Sequence, residues 1–307
     1  MIISKTIILG RIVKGTWRGF LLLLFVCVAA YLFNEYVLHH YIEFPTIVPG
    51  ILGPALAFFI GFNNNQAYDR WWEARKIWGG LVNDSRTWAR QLVAYAQYPS
   101  AADTEVSKEL NSVKKRAIYR HIAFLYALKD NLRGETKKDY QKYLSGEEFD
   151  AVERESNIHN AILSFQSKDL EYMKKSNWID GFKFIELNKM IIRFCDGMGM
   201  SERIKNTVFP TTYTYYTRLF IWLFIISMTF VFSDLVGAWS IFFGVLVGYI
   251  YIVMHSIGLA ILNPFEPVPS GISLDQITRT IEINLLETLG ESDIPKPIEC
   301  VRGEYIM

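Results

Sequence analysis

The sequence predicts an all-α integral membrane protein with four transmembrane helices and a helical cytoplasmic domain. Three observations support this prediction. Of the 307 residues, 51% are hydrophobic, four long apolar runs occur in two pairs, and most charged residues lie between the pairs. No Lys or Arg occurs between Leu219 and Thr278, which is hard to reconcile with a soluble surface.

Each apolar run is long enough to cross a bilayer when its flanking residues are included, because the hydrocarbon core needs about 20 helical residues. The second run contains prolines and glycines, Pro54 among them, that could interrupt a helix. The runs comprise residues 19–33, 47–62, 219–236 and 238–262.

The positions of the cations predict the orientation of the four spans. Lys5 and Arg18 precede the first pair, Arg75 follows it, and its connector at 34–46 has no Lys or Arg. Cytoplasmic segments are enriched in Lys and Arg. We therefore expect a multi-pass protein of the cell membrane with both termini cytoplasmic.

The chain then divides into four consecutive parts. Residues 1–62 hold the N-terminal segment and transmembrane helices 1 and 2. Residues 63–216 form the cytoplasmic helical domain, 217–262 hold transmembrane helices 3 and 4, and 263–307 form a cytoplasmic C-terminal segment. Within the cytoplasmic domain, apolar residues recur at helical spacing over 75–96, 107–128 and 180–200. We expect connectors near Gly146, Asn157 and Ser167.

Composition argues against several classes of function. The three cysteines and five histidines are scattered, in no spacing typical of a metal site or a disulfide framework. The sequence has neither a Rossmann fingerprint nor a P-loop. We therefore expect no metal, no cofactor and no enzymatic activity, since no acid, base and nucleophile converge. A net charge of +1 gives no sign of a nucleic-acid partner.

Two sets of residues on the second span and just after it are candidates for function. Pro54, Phe58 and Phe62 are spaced by four, so they share one face of a helix. That face could serve ordinary helix packing or line a pore. The amides of residues 63–66 could hydrate ions, or cap a helix and face water.

A charged and aromatic cluster follows immediately. It could be an interfacial belt, with Trp at headgroup depth, or the continuation of a pore lining into a vestibule. Its members are Asp69, Arg70, Trp71, Trp72, Glu73 and Arg75.

These blocks together resemble the bestrophin family, in its bacterial and plastid branch. The resemblance extends from about residue 10 to residue 290, with the motifs in the same order and spacing. The matching segments are 61–64, 67–75, 78–79, 81–86, 201–207 with Pro210, and 263–265.

The resemblance implies a homopentameric ion channel with four transmembrane helices per subunit around one central pore. The family's hydrophobic neck on the second helix would fall on Phe62, Phe58 and Pro54. A second, cytoplasmic constriction would fall near Ile179. The implied partners are the lipid bilayer, small monovalent ions and further copies of this chain. The resemblance to the bacterial branch implies the bacterial inner membrane as the location.

Two departures from the family pattern stand out. Many relatives have an aliphatic residue where this chain has Pro54. Animal members clasp calcium with an acidic cluster after the Asn-Pro-Phe motif, but residues 266–271 offer one carboxylate, whereas calcium takes about six to eight oxygen ligands.

We expect anions, chloride first, to be preferred. A monovalent cation channel and a non-conducting membrane sensor or scaffold remain alternatives.

Overall fold

The computed structural model describes residues 9–38, 41, 44–98, 104–207 and 211–300. Lys5 and Pro210 lie outside these residues. The described chain is helical and contains no strand, which confirms the predicted all-α class. Its α-helices are α1 Leu9–Tyr36, α2 Ile47–Tyr95, α3 Thr104–Arg133, α4 Gly146–Glu153, α5 Ile158–Lys175, α6 Gly181–Asn206, α7 Thr211–Val236, α8 Trp239–Ile261 and α9 Leu274–Leu289, with a short 3-10 helix at Asp139–Tyr143.

Polar side chains start three of the shorter helices where the sequence changes from turn residues to an apolar pattern. Ser145 and Glu148 form a capping box at the start of α4. Asn157 accepts a hydrogen bond from the backbone N–H of Asn160 at 3.0 Å, and Asp180 starts α6 in the same way. Such caps satisfy N–H groups that lack a partner within the helix.

The predicted connector at Ser167 is wrong, because Ser167 lies inside α5. Its hydroxyl donates to the carbonyl oxygen of Leu163 at 3.2 Å. A serine that bonds back to the carbonyl four residues earlier fits within a helix, so the polar residue does not end it.

Within the described residues, four helices are long and apolar enough to cross a membrane by length and composition. They are α1 from Trp17 onward, α2, α7 and α8, and each coincides with one of the four predicted runs to within a residue or contains it. The prolines and glycines of the second run do not break α2, which continues for 49 residues. Pro54 stands inside it and, lacking an N–H, leaves the Gly50 carbonyl without its helical donor.

The chain forms two compact units. We call the first the apolar unit. In the described residues it consists of 9–71 and 211–263. Close approach of its helices depends on glycines in α8, because a Cβ at Gly244 would lie 2.5 Å from the Thr229 hydroxyl oxygen. The buried core of this unit consists of Leu23, Cys27, Leu56, Ile60, Ile221, Phe224 and Ile225.

The second, here the charged unit, consists of 72–207 and 264–300 in the described residues. Helix α3 is its centre, with a long run of buried residues from Ala117 to Leu128 interrupted only by Tyr119. The apolar positions predicted at helical spacing in 75–96 are buried here, which confirms that this stretch is a core-facing helix. They are Ile77, Trp78, Leu81, Trp88, Leu92 and Ala96.

Candidate functional site

One face of α2 is left exposed in the apolar unit, and it carries the predicted neck residues. Phe58 is 72% exposed and Phe62 51%, and Pro54 is exposed as well. Ile51, one turn before Pro54, continues the face and is 64% exposed. Large apolar side chains that are at least half exposed within their own unit have lipid, another subunit or a pore as their natural surroundings.

The opposite face of α2 is buried. Its small and aliphatic residues recur every three or four positions, at the spacing of one helix face. They are Gly53, Leu56, Ile60, Asn63 and Ala67. The sequence therefore gives α2 one face that packs within the apolar unit and one face that stays exposed there.

Contacts with α7 and α8 hold this buried face in place. The Tyr251 hydroxyl donates to the carbonyl oxygen of Gly53 at 3.0 Å. The ring of Phe224 fills the space where a side chain at Gly53 would be, 3.2 Å from an ideal Cβ, and it packs against Tyr251 with ring centroids 4.8 Å apart. The absence of a side chain at Gly53 thus brings α2 close to α7 and α8 just beside Pro54.

The amide run after Phe62 has divided roles. The Asn64 amide nitrogen donates to the Met254 carbonyl oxygen of α8 at 2.9 Å, an interaction the sequence did not suggest. Asn65 lies on the exposed side and donates to Asp69 at 3.3 Å. The exposed face of α2 therefore changes from aromatic to polar within two turns of Phe62.

The charged and aromatic cluster extends over the boundary of the two units, and each part makes contacts within its own unit. In the apolar unit, Tyr68 stacks on Trp71 with ring centroids 6.2 Å apart. In the charged unit, Trp72 is exposed, and Glu73 accepts a hydrogen bond from Arg203 at 2.5 Å. Glu73 and Arg203 belong to the two longest family motifs, so the structure brings these motifs together.

The segment predicted to hold a second constriction changes from buried to exposed apolar residues. Ile179 is only 3% exposed, whereas Phe182, in the first turn of α6, is 85% exposed. A side chain buried in its own unit presents almost no surface to an ion pathway. Burial therefore weighs against Ile179. Phe182 and Ile185, which is 53% exposed, are the apolar side chains available nearby, and Phe182 is the more exposed of the two.

Buried charges in the charged unit are paired. Arg120 bonds to Asp169 and Glu148, and Arg116 bonds to Asp169 at 2.8 Å. Burial raises the pKa of Asp169 although both arginines oppose the shift. At Glu148, burial also acts to raise the pKa, but the bonds from Arg120 and Ser145 outweigh it and lower the pKa. This network connects α3, α4 and α5.

A buried histidine connects α2 and α3 in the same unit. The Ser85 hydroxyl donates to the Leu81 carbonyl oxygen at 2.5 Å, so His121 Nε2, 2.8 Å from Ser85 Oγ, must be the donor of their bond. The ring packs against Phe194 with centroids 4.1 Å apart. Burial lowers the pKa of His121 to about 3, so the ring is neutral at physiological pH.

Sequence reasoning missed residues that hold α2 against other helices within each unit. Gly53, Asn64 and Arg203 act through packing partners on other helices, and a single sequence does not show which helices meet. A usable signal existed for Gly53, because it falls in the same three-or-four-residue repeat as Leu56 and Ile60. The exposed face consists of α2 positions that lie outside that repeat.

Comparison with curated proteins finds relatives along most of the chain. The voltage-dependent anion channel-forming protein YneE of Salmonella typhi is 30% identical over 252 residues, which is 81% of this chain and 79% of that protein. YneE of Escherichia coli K12 is 29% identical over 255 residues, 82% of this chain and 80% of that protein.

Comparison with solved structures shows the same fold. A bacterial bestrophin homologue from Klebsiella pneumoniae, solved by Zn-SAD phasing, superposes with a TM-score of 0.80 at 22% identity, covering 89% of this chain and 98% of that one. A structure described as a membrane protein gives a TM-score of 0.81 at 22% identity, covering 91% and 100%.

The sequence profile described as Bacterial/Fungal Bestrophin protein matches residues 3–287. This match covers almost the whole chain and agrees with the motifs at 61–75 and 201–207 and with the four apolar helices. The chain is therefore a membrane protein of the bacterial and fungal bestrophin family.

Proposed function

We propose that this protein is a homopentameric channel for small monovalent anions, chloride first, and that the exposed face of α2 forms its narrowest part. The observation that carries the proposal is the exposure of Phe58 and Phe62 on one face of a membrane helix whose opposite face is packed. Family membership and the names of the relatives, which are anion channel-forming proteins, support it.

The chemistry of the face fits a neck that passes dehydrating anions. A ring of phenyl groups repels bulk water, and hydrophobic constrictions gate by dewetting. The edge of a phenyl ring carries partial positive charge and can stabilise an anion. In this proposal Pro54, Phe58 and Phe62 line successive levels, and Asn65 and Asp69 lie beyond them on the same face.

We also propose a second apolar constriction contributed by residues at the start of α6. The exposure of Phe182 supports its assignment to that position in place of Ile179. The orientation stays as expected from the Lys and Arg distribution, with residues 63–216, the C-terminal segment from 263 and both termini in the cytoplasm. The Asp69–Arg75 motif would then follow the neck on the cytoplasmic side.

Planar-bilayer recording of the purified protein tests the proposal. With asymmetric KCl, an anion channel gives a reversal potential close to the chloride equilibrium potential. A reversal potential on the potassium side would establish a cation channel instead, and absence of current in protein that is folded and pentameric would reject the channel function. Native mass spectrometry of the same sample measures the number of subunits, and any number other than five contradicts the assembly.

A further inference from the structure

A small cavity lies inside the apolar unit between α2, α7 and α8. It encloses about 10 Å³, close to the smallest volume that accommodates one water molecule. The residues that line it come from the buried side of α2, from the start of α7 and from the last turns of α8. They are Asn63, Asn64, Ala67, Thr214, His255, Gly258, Leu259 and Leu262.

Three buried polar atoms of this lining have no hydrogen-bond partner in the described part of the chain. They are Oδ1 of Asn63, Oδ1 of Asn64 and Nε2 of His255. Asn63 is 9% exposed and His255 6%. Polar atoms buried in a membrane segment must find partners inside the protein, because the bilayer offers none. Three such atoms around one cavity indicate a shared partner.

The Asn64 amide has a fixed orientation. The Met254 carbonyl can only accept a hydrogen bond, so the Asn64 group that contacts it at 2.9 Å is the NH₂. Its Oδ1 therefore points the other way, against Gly258, where an added Cβ would lie 2.0 Å from this oxygen. Gly258 thus provides the space in which the Asn64 amide lies.

We propose that one water molecule is bound in this cavity by Asn63, Asn64 and His255. A water has two hydrogens to donate, and the two amide oxygens are two acceptors. His255 then carries its proton on Nε2 and donates to the water oxygen. One molecule in this geometry satisfies all three atoms, and buried waters typically make about three hydrogen bonds.

The lining selects water over an ion. None of the lining residues is acidic, so a cation would have no opposite charge there. An anion would face two amide oxygens.

The bound water has a positioning role that rests on the proposed function. Asn63 and Asn64 follow Phe62 directly in α2. The water and the Asn64–Met254 bond therefore fix the rotation of α2 about its own axis just below the neck. Rotation of α2 would change how far Phe58 and Phe62 project into the pore.

A high-resolution structure of the full-length protein tests the water directly. We expect one peak within hydrogen-bond distance of the three atoms, retained in His255→Gln, which keeps a donor, and lost in His255→Phe together with a fall in melting temperature. Absence of the peak in the wild type, its persistence in His255→Phe, or a rubidium-replaceable peak with metal-like coordination would each overturn the proposal.

Recording from Gly258→Ala tests the positioning role. The new methyl group displaces the Asn64 amide, and we expect an altered unitary conductance. Gly19→Ala is the matched control, since a Cβ there meets nothing within 4 Å. Wild-type conductance in Gly258→Ala rejects the positioning role. If the wild type itself carries no current, the proposed function fails, while the water peak still decides the site.

Discussion

Nη2 of Arg203 lies 2.5 Å from Oε1 of Glu73, which connects α6 to α2 within the charged unit. These residues are 130 positions apart, and each lies in a separate family motif. Their side chains are 62% and 43% exposed. An ion pair this open to water determines orientation more than it adds stability, because exposed pairs are worth about 0–1 kcal/mol.

We therefore predict weak thermodynamic coupling between Arg203 and Glu73. In a double-mutant cycle of Arg203→Gln and Glu73→Gln, the coupling in unfolding free energy should stay below about 1 kcal/mol. Thermal unfolding in detergent, at low and at high salt, measures it, and the coupling should shrink with salt. A coupling of several kcal/mol would mean that the pair is shielded from water in the assembled protein.

Replacing Phe58 or Phe62 with Ala should raise single-channel conductance. Each change removes a ring from the proposed narrowest part of the pore, so the barrier to entry of a partly dehydrated ion falls. Phe25→Ala is the control, because Phe25 is 69% exposed on α1 and lies outside the proposed neck. Unchanged conductance in both α2 variants would assign these rings to packing or to lipid.

Phe182 and Ile179 should respond differently to truncation. We expect Phe182→Ala to alter relative anion permeability without changing the melting temperature, since the side chain is exposed in its own unit. Ile179→Ala should lower the unfolding free energy by about 2–5 kcal/mol, as buried truncations do, and leave permeability as in the wild type. Reversal potentials with chloride replaced by larger anions measure the first effect, and the opposite pattern would restore Ile179 as the constriction.

The stability of the charged unit should depend on pH through His121. Its folded pKa of about 3 lies below the unfolded value near 6.5. Between these values the unfolded chain binds a proton that the native chain does not, so stability falls as pH falls from 6.5 towards 3, by about 1.4 kcal/mol per pH unit.

The variant His121→Gln isolates this effect, because Gln can keep the bond to Ser85 but does not titrate. Unfolding of wild type and variant is compared from pH 7 to pH 4, so that contributions of Asp169, Glu148 and other carboxyls cancel in the difference. The wild type should lose stability faster on acidification. Parallel pH profiles would contradict the lowered pKa, because they would mean that His121 binds its proton equally in the native and the unfolded chain.

Removal of the Arg120 side chain should lower the unfolding free energy far more than removal of a surface lysine side chain. Arg120→Ala leaves Asp169 and Glu148 with one buried cation fewer, and loss of a buried partner costs about 3–5 kcal/mol. Lys189→Ala breaks only the exposed pair with Glu186, worth less than about 1 kcal/mol. The two melting temperatures, measured at neutral pH, give the comparison, and equal values would contradict it.

The helices and the sides of α2 were largely readable from the sequence, because both follow from a short-range repeat. Phe58 and Phe62 lie on one face for the same reason that Leu56 and Ile60 lie on another, which is the helical period of 3.6 residues. The capped starts at Ser145 and Asn157 are also local, since the cap and its partner are three residues apart.

Other features depend on which helices meet, and the sequence does not contain that information in readable form. In the sequence, Asn64 cannot be distinguished from an exposed amide, because nothing there shows that the Met254 carbonyl lies opposite it. Ile179 is apolar, and nothing in its neighbours indicates that it is buried while Phe182 is exposed. Ser167 was predicted to lie in a connector, but its hydroxyl bonds to the Leu163 carbonyl oxygen inside α5. The sequence does not show that bond.

Pro54 has a mechanical consequence for α2. Backbone hydrogen bonds between successive turns make a regular α-helix resist bending. A proline removes one of these hydrogen bonds, and its own ring crowds the preceding turn. Bending compliance in the membrane part of α2 is thus concentrated at 50–54. The segment with Phe58 and Phe62 follows this compliant point as a stiff rod, so the two rings would swing together rather than one at a time.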